Sequence, residues 1–110
     1  MKNLKNLNHE KDLPYKVGSW YRIKTEYIIV STEQPEWGTI SVPSTKDVFE
    51  NSPGWKPRGK IYKIKSGDLI MIAGYVLRNQ IVVLGHQDKF LYTDVSELIR
   101  INALEHAHNK

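Results

Sequence analysis

IYKIKSGDLIMIAGY, residues 61–75, decides the fold. Its first five residues alternate: Tyr62 and Ile64 lie on one side, Lys63 and Lys65 on the other. Period two with aromatic and β-branched residues is the signature of a half-buried strand, so Tyr62 and Ile64 are read as inward and the lysines as outward. Ser66-Gly67-Asp68 then supplies turn chemistry. The following run, DLIMIAGYVL (68–77), is almost continuously apolar, as a strand covered on both faces requires.

Working outward, the pattern repeats. Arg78-Asn79 suits a tight turn, because Asn tolerates the left-handed conformation. QIVVLG (80–85) reads as the next strand, Gly85-His86-Gln87-Asp88 as a turn, and KFLYT (89–93) as a further strand. Asp94-Val95-Ser96-Glu97 has the form of one helical turn, with Asp94 as its cap and Glu97 reaching back. LIRIN (98–102) follows as a short closing strand, and residues 104–110 read as a polar tail. On the other side, WYRIKTEYIIV (20–30) places Tyr21, Ile23, Tyr27 and Ile29 on one face and Arg22, Lys24 and Glu26 on the other. Between these regions lies a connection over 31–59 that holds four of the five prolines. Such a length in a small domain carries function or structure of its own. WGTISV (37–42) is expected to add one more strand or hairpin arm. Residues 1–14 read as a flexible tail.

Short strands with turn signals between them, and no long helical period, make an all-β barrel or sandwich. YKIKSGDLIMIAGY and KFLYTDVSELIRI resemble the second half of an SH3-like barrel, in which a Gly-Asp turn starts the central strand and a helical turn precedes the last one. SGDLIMIAG is similar to the start of the KOW motif of nucleic-acid-binding SH3-like domains. The resemblance covers about residues 60–102. It implies a mostly-β chain: one SH3-like small β-barrel over 15–103 with a long Pro-rich loop at 31–59, one short helical turn and two polar tails. It does not extend to recognition of Pro-x-x-Pro ligands, since Leu77-Arg78-Asn79-Gln80-Ile81 stands where paired tryptophans would be.

Bulk properties agree with one soluble domain. The chain has 110 residues, 40% of them hydrophobic and 25% charged, enough for one core without staples. No apolar run approaches the ~20 residues of a membrane span. The first residues lack the apolar segment of a signal peptide, and cysteine is absent, so a cytoplasmic protein is expected. Twelve lysines against four arginines suggest an AT-rich genome, bacterial or phage. In the phage case the expected place is the host cytoplasm.

The net charge of +4 is concentrated. Residues 46–65 hold six basic and two acidic side chains and account for all of it. In their middle stands SPGWKPRGK (52–60), an indole among prolines, glycines and cations. Gly54-x-x-x-x-Gly59-Lys60 has the spacing of a phosphate loop. A strand follows it rather than a helix, Ile61 replaces the magnesium-binding hydroxyl, and Pro57 removes an amide, so nucleotide hydrolysis is not expected. His106 and His108 are two possible ligands on a tail, too few for a metal site. No serine has a nucleophile-elbow context, and Asp68 and Asp94 are explained as turn and cap. The expectation is a non-enzymatic binding module with no cofactor or metal. Trp55 offers a face to a base, and Lys56, Arg58, Lys60, Lys63 and Lys65 offer charges to phosphates. Two readings compete with nucleic acid. In one the loop docks a cellular or host protein with Trp37 and Trp55 as anchors; in the other Trp55 folds back to plug one end of the barrel.

Overall fold

Two connections of only three residues dictate the shape of the sheet. In the computed structural model, which describes residues 13–35, 42–76 and 80–107, β1 (Trp20–Ile23) is joined to β2 (Tyr27–Ser31) through residues 24–26. Likewise β3 (Ile61–Lys65) is joined to β4 (Leu69–Val76) through 66–68. β5 (Ile81–His86), β6 (Lys89–Asp94) and β7 (Leu104–His106) complete one antiparallel seven-stranded sheet, in the order β3-β2-β6-β5-β4-β1-β7. Each short connection therefore crosses four inter-strand spacings. On a flat sheet that is about 19 Å, beyond the ~15 Å that four Cα–Cα steps can reach. The sheet must curl.

The two connections meet where it does so. Gly67, at φ +90°, donates its N–H to Ile23 O (2.9 Å), Ser66 N–H reaches Glu26 O (3.0 Å), and Ile23 N–H reaches Asp68 O (3.0 Å). The ladder itself does not close: among the described residues β3 and β7 are its edges. The chain is mostly β, as the alternation implies, and its sheet is open rather than a closed barrel. The join between β2 and β6 is also narrow, a single register pair Ser31–Tyr92 reinforced by Thr93 Oγ1–H to Ile29 O at 2.7 Å.

Curling gives an inside and an outside. Inside lies the main core: Tyr21 and Ile23 from β1, Ile70 and Ile72 from β4, Val82 and Leu84 from β5, Leu91 from β6, with Ile28, Val30 and Ile64 facing them. β2 is buried on both faces. Ile28 and Val30 point into the main core, whereas Tyr27 and Ile29 point out, into a second cluster with Val42. Tyr27 and Ile29 therefore do not share a face with Tyr21 and Ile23, because residues 24–26 break the expected strand into two.

Four further expectations are corrected. Leu98–Arg100 is helix, the second half of α2 (Val95–Arg100), capped by Asp94 as its sequence implies. The last strand is β7 instead, so Leu104–His106 is part of the ladder against β1 rather than tail. Leu13, assigned to the N-terminal tail, is 7% exposed within the main core. Between β2 and β3 a five-residue helix, α1 (Lys46–Glu50), appears where no helix is expected; Thr45 caps it by accepting from Val48 N–H. The turn expected over Gly85–Asp88 is present one residue further on, at His86–Lys89, with Gly85 and His86 in β5 and with Gln87 and Asp88 at φ 49° and 64°, the two left-handed residues of a type I′ turn. The arm expected at 37–41, the turn at 78–79 and residues 1–12 lie outside the described residues.

Candidate binding surface around Trp55

The long connection is tied to the sheet at its middle and at its end, and this is what aims Trp55. Midway along it Ser44 O accepts from Ile29 N–H (2.9 Å), and Thr45 bridges Ile28. At its end Ser31 Oγ–H donates to Arg58 O (2.7 Å), and Thr32 N–H to Lys60 O (2.9 Å). Between them α1 runs into a turn in which Ser52 N–H donates to Phe49 O (3.2 Å) and Trp55 N–H to Ser52 O (3.0 Å). Pro53 and Gly54 make that reversal, and the indole returns edge-on to Phe49, with centroids 6.5 Å apart. Trp55, Phe49 and Ile61 are half-buried and pack on Tyr27, Ile29 and Val42. Trp55 is thus no plug for the main core: it lies on the opposite side of β2 and anchors a second, smaller core.

The basic residues surround this cluster, but carboxylates return among them. Lys56, Arg58, Lys60, Lys63 and Lys65 are all exposed. Lys63 Nζ stands 4.7 Å from the Tyr27 ring centroid and 5.8 Å from that of Phe49, a cation over aromatic faces. Glu26 pairs with Lys46, and Glu33 approaches Arg58 at 4.0 Å, both acids coming from outside the 46–65 window. Counting those two, the excess of four falls to two. Glu50 also accepts from Tyr27 OH (3.1 Å), and desolvation together with this contact raises the phenol above its ordinary pKa. Trp37 lies outside the described residues.

Beside Trp55 opens a cleft of about 370 Å³, walled by Trp55, Pro43 and Val48 and carrying Asp94 and Glu97 on its polar side. Asp94 Oδ1 is committed to the α2 N-terminus, accepting from Ser96 N–H (2.7 Å) and Glu97 N–H (3.2 Å). Glu97 Oε2 lies 3.4 Å from both Ser44 Oγ and Thr45 Oγ1, tying the loop to α2. Burial, then the neighbouring Asp94, raises the Glu97 carboxyl above its usual range despite those hydroxyls. An indole wall with two carboxylates accepts apolar or cationic groups and repels phosphate.

The near phosphate loop is a turn. Gly59 adopts φ +74°, and a Cβ there would lie 2.7 Å from Thr32 Oγ1 and Glu33 Oε2, while Gly54 has open space around it. β3 follows, and an acid rather than an anion site faces the second glycine. His106 belongs to β7 with its ring edge-on to Tyr21 at 5.3 Å; His108 lies outside the described residues. No group of three or more His, Asp or Glu side chains converges as metal ligands among the described residues, and no helix there is long and apolar enough to cross a membrane.

Reading the sequence missed Tyr27, Phe49, Asp94 and Glu97 as neighbours of Trp55. Thr45-Lys-Asp47 was the available signal, a cap with an acid in the first turn. It was hidden by the prolines on either side. No protein-family model matches this chain, and neither a curated protein nor a solved structure does.

Proposed function

We propose that the chain is a non-enzymatic binding module whose partner is a protein, docked on the Trp55 cleft and the surface of the 42–60 connection. The observation that carries this reading is the company Trp55 keeps: its cleft holds Asp94 and Glu97, and its flanking cations are interleaved with Glu26, Glu33 and Glu50. A base stacked on this indole would bring its phosphates towards carboxylates. A protein segment meets instead a half-buried aromatic anchor with a polar rim, the usual anatomy of an interface hot spot. The SH3-like architecture belongs to the same reading, supported by the Gly67-Asp68 turn that opens β4 and by α2 ahead of the last strand.

Nucleic acid remains as a second reading for one reason. Lys56, Lys60, Lys63 and Lys65 make no ion pair among the described residues, and Lys63 and Lys65 lie on β3, an edge strand, with Lys60 just before it. The two readings separate in a titration of a labelled mixed-sequence single strand at low and near-physiological salt. The protein reading expects only weak contact, in the ~10⁻⁴–10⁻⁶ M range of non-specific binding, reduced by Lys63→Glu and unchanged by Trp55→Ala. Tighter binding that Trp55→Ala abolishes, in a variant that still unfolds cooperatively, overturns it.

A further inference from the structure

The strand register lines up an apolar row on the outside of the sheet, far along the ladder from Trp55. Trp20 pairs with Met71, Met71 with Gly85, and Gly85 with Phe90, so four directly opposed positions on β1, β4, β5 and β6 share one face. That face is the outer one, since Tyr21, Ile70, Ile72, Leu84 and Leu91, their alternates along the strands, fill the core. Phe90 is 63% exposed, Leu69 43% and Trp20 40%. Leu69 is two residues from Met71 and adds to the same face. Gly85 keeps the row level: a Cβ there would lie 3.3 Å from Met71 Cε, so the methionine side chain occupies the space next to the glycine.

We propose that this outer face is the contact between two copies of the chain. Three observations select a second copy. The first is area. With ~150–250 Å² per aromatic side chain, the exposed parts of Trp20, Phe90 and Leu69 amount to roughly 300 Å² of apolar surface. A stable interface buries ~800 Å² per partner, so the row would form its apolar centre and the polar residues around it the remainder. The second is composition. Trp, Met and Phe are the residues enriched at the centres of protein interfaces, where charge is depleted. The third is charge balance. The outward charges of β1 and β7 are Arg22 and Glu105, paired at 3.8 Å beside the row. In a twofold contact each surface meets itself, so a rim carrying one charge of each sign can exchange partners across the axis without like-charge repulsion. The same neutral rim gives a phosphate backbone nothing to bind. This contact does not depend on the Trp55 reading, which concerns β2, β3 and the connection between them.

Sedimentation and light scattering of the full chain, from about 1 to about 500 µM, test the proposal. Wild type is expected to shift from 12.8 kDa towards twice that mass as concentration rises. Phe90→Lys and Trp20→Lys, each at an exposed position, are expected to weaken self-association at least tenfold while their melting curves stay cooperative. Trp55→Ala is expected to leave it unchanged. A wild type that stays monomeric throughout, whether the face is bare or reserved for another protein, overturns the proposal. So does a dimer that survives both lysine substitutions.

Discussion

The indole of Trp55 stands edge-on to the ring of Phe49, with centroids 6.5 Å apart and planes 77° from parallel. Aromatic pairs prefer this geometry because the positive edge of one ring meets the negative face of the other. The pair explains how an aromatic set between prolines and glycines is held in place. α1 supplies Phe49, the Ser52–Trp55 turn brings the indole back to it, and both rest on Tyr27 and Ile29. Phe49→Ala should therefore cost about 1–3 kcal/mol, less than for a fully buried ring, and red-shift the tryptophan emission. Denaturant melts read by circular dichroism and by fluorescence check both. Unfolding should remain cooperative, since the main core does not include Phe49.

The two glycines of the connection should respond differently. Gly59 has a left-handed backbone and side-chain oxygens 2.7 Å from where a Cβ would be, whereas Gly54 has nothing within 4 Å. Gly59→Ala is expected to destabilise by about 1–3 kcal/mol and Gly54→Ala by no more than about 0.5. Urea midpoints of the two variants give the comparison. A loop that cradled phosphate would need both glycines for ligand binding rather than one for folding.

Strands 61–65, 69–76, 81–86 and 89–94 follow from alternation and apolar runs, and their turns from Gly67, Gln87 and Asp88, because those signals are local. Asp94 as a cap was equally local. Alternation alone puts Tyr27 and Ile29 on the face of Tyr21 and Ile23, and only the fold shows the break at 24–26 and the covering of the second face of β2. The charge window also misled: proximity along the chain placed six cations together, and folding added Glu26 and Glu33 to them. LIRIN looked like a strand because Leu98, Ile99 and Ile101 suit either element, and the capped start of α2 decided in favour of helix.

Tyr15 sets an alkaline limit on stability. Its hydroxyl donates to Leu98 O at 3.2 Å, and burial, with a smaller contribution from Tyr21, pushes the phenol up to about 12 from 10.0. The folded state holds this proton more tightly than the unfolded state does. Its contribution is therefore fully present below pH 10 and is lost as the pH rises through about 12. A spectrophotometric titration should show a tyrosine that ionises at about pH 12 and is absent in Tyr15→Phe. Over that interval the wild type should lose about 2–3 kcal/mol relative to the variant.

Glu97 acts in the acid range with the same sign. Burial and Asp94 raise its carboxyl above 4.5, so its contribution is fully present below that value and is lost as pH rises through the raised folded pKa. The stability of wild type relative to Glu97→Gln should fall between about pH 4 and about pH 7. Urea midpoints at both pH values give the difference directly. A gap that grows in favour of wild type with rising pH would show that Glu97 is stabilised as a carboxylate.

The most direct test of the central claim is a photo-crosslinking residue at Lys56, next to the indole and exposed to solvent, carried by the chain in the cells that produce it. A discrete adduct is expected that resists nuclease, is digested by protease and is lost in the Trp55→Ala background. A nuclease-sensitive adduct, or one that forms equally well without the indole, would contradict the claim.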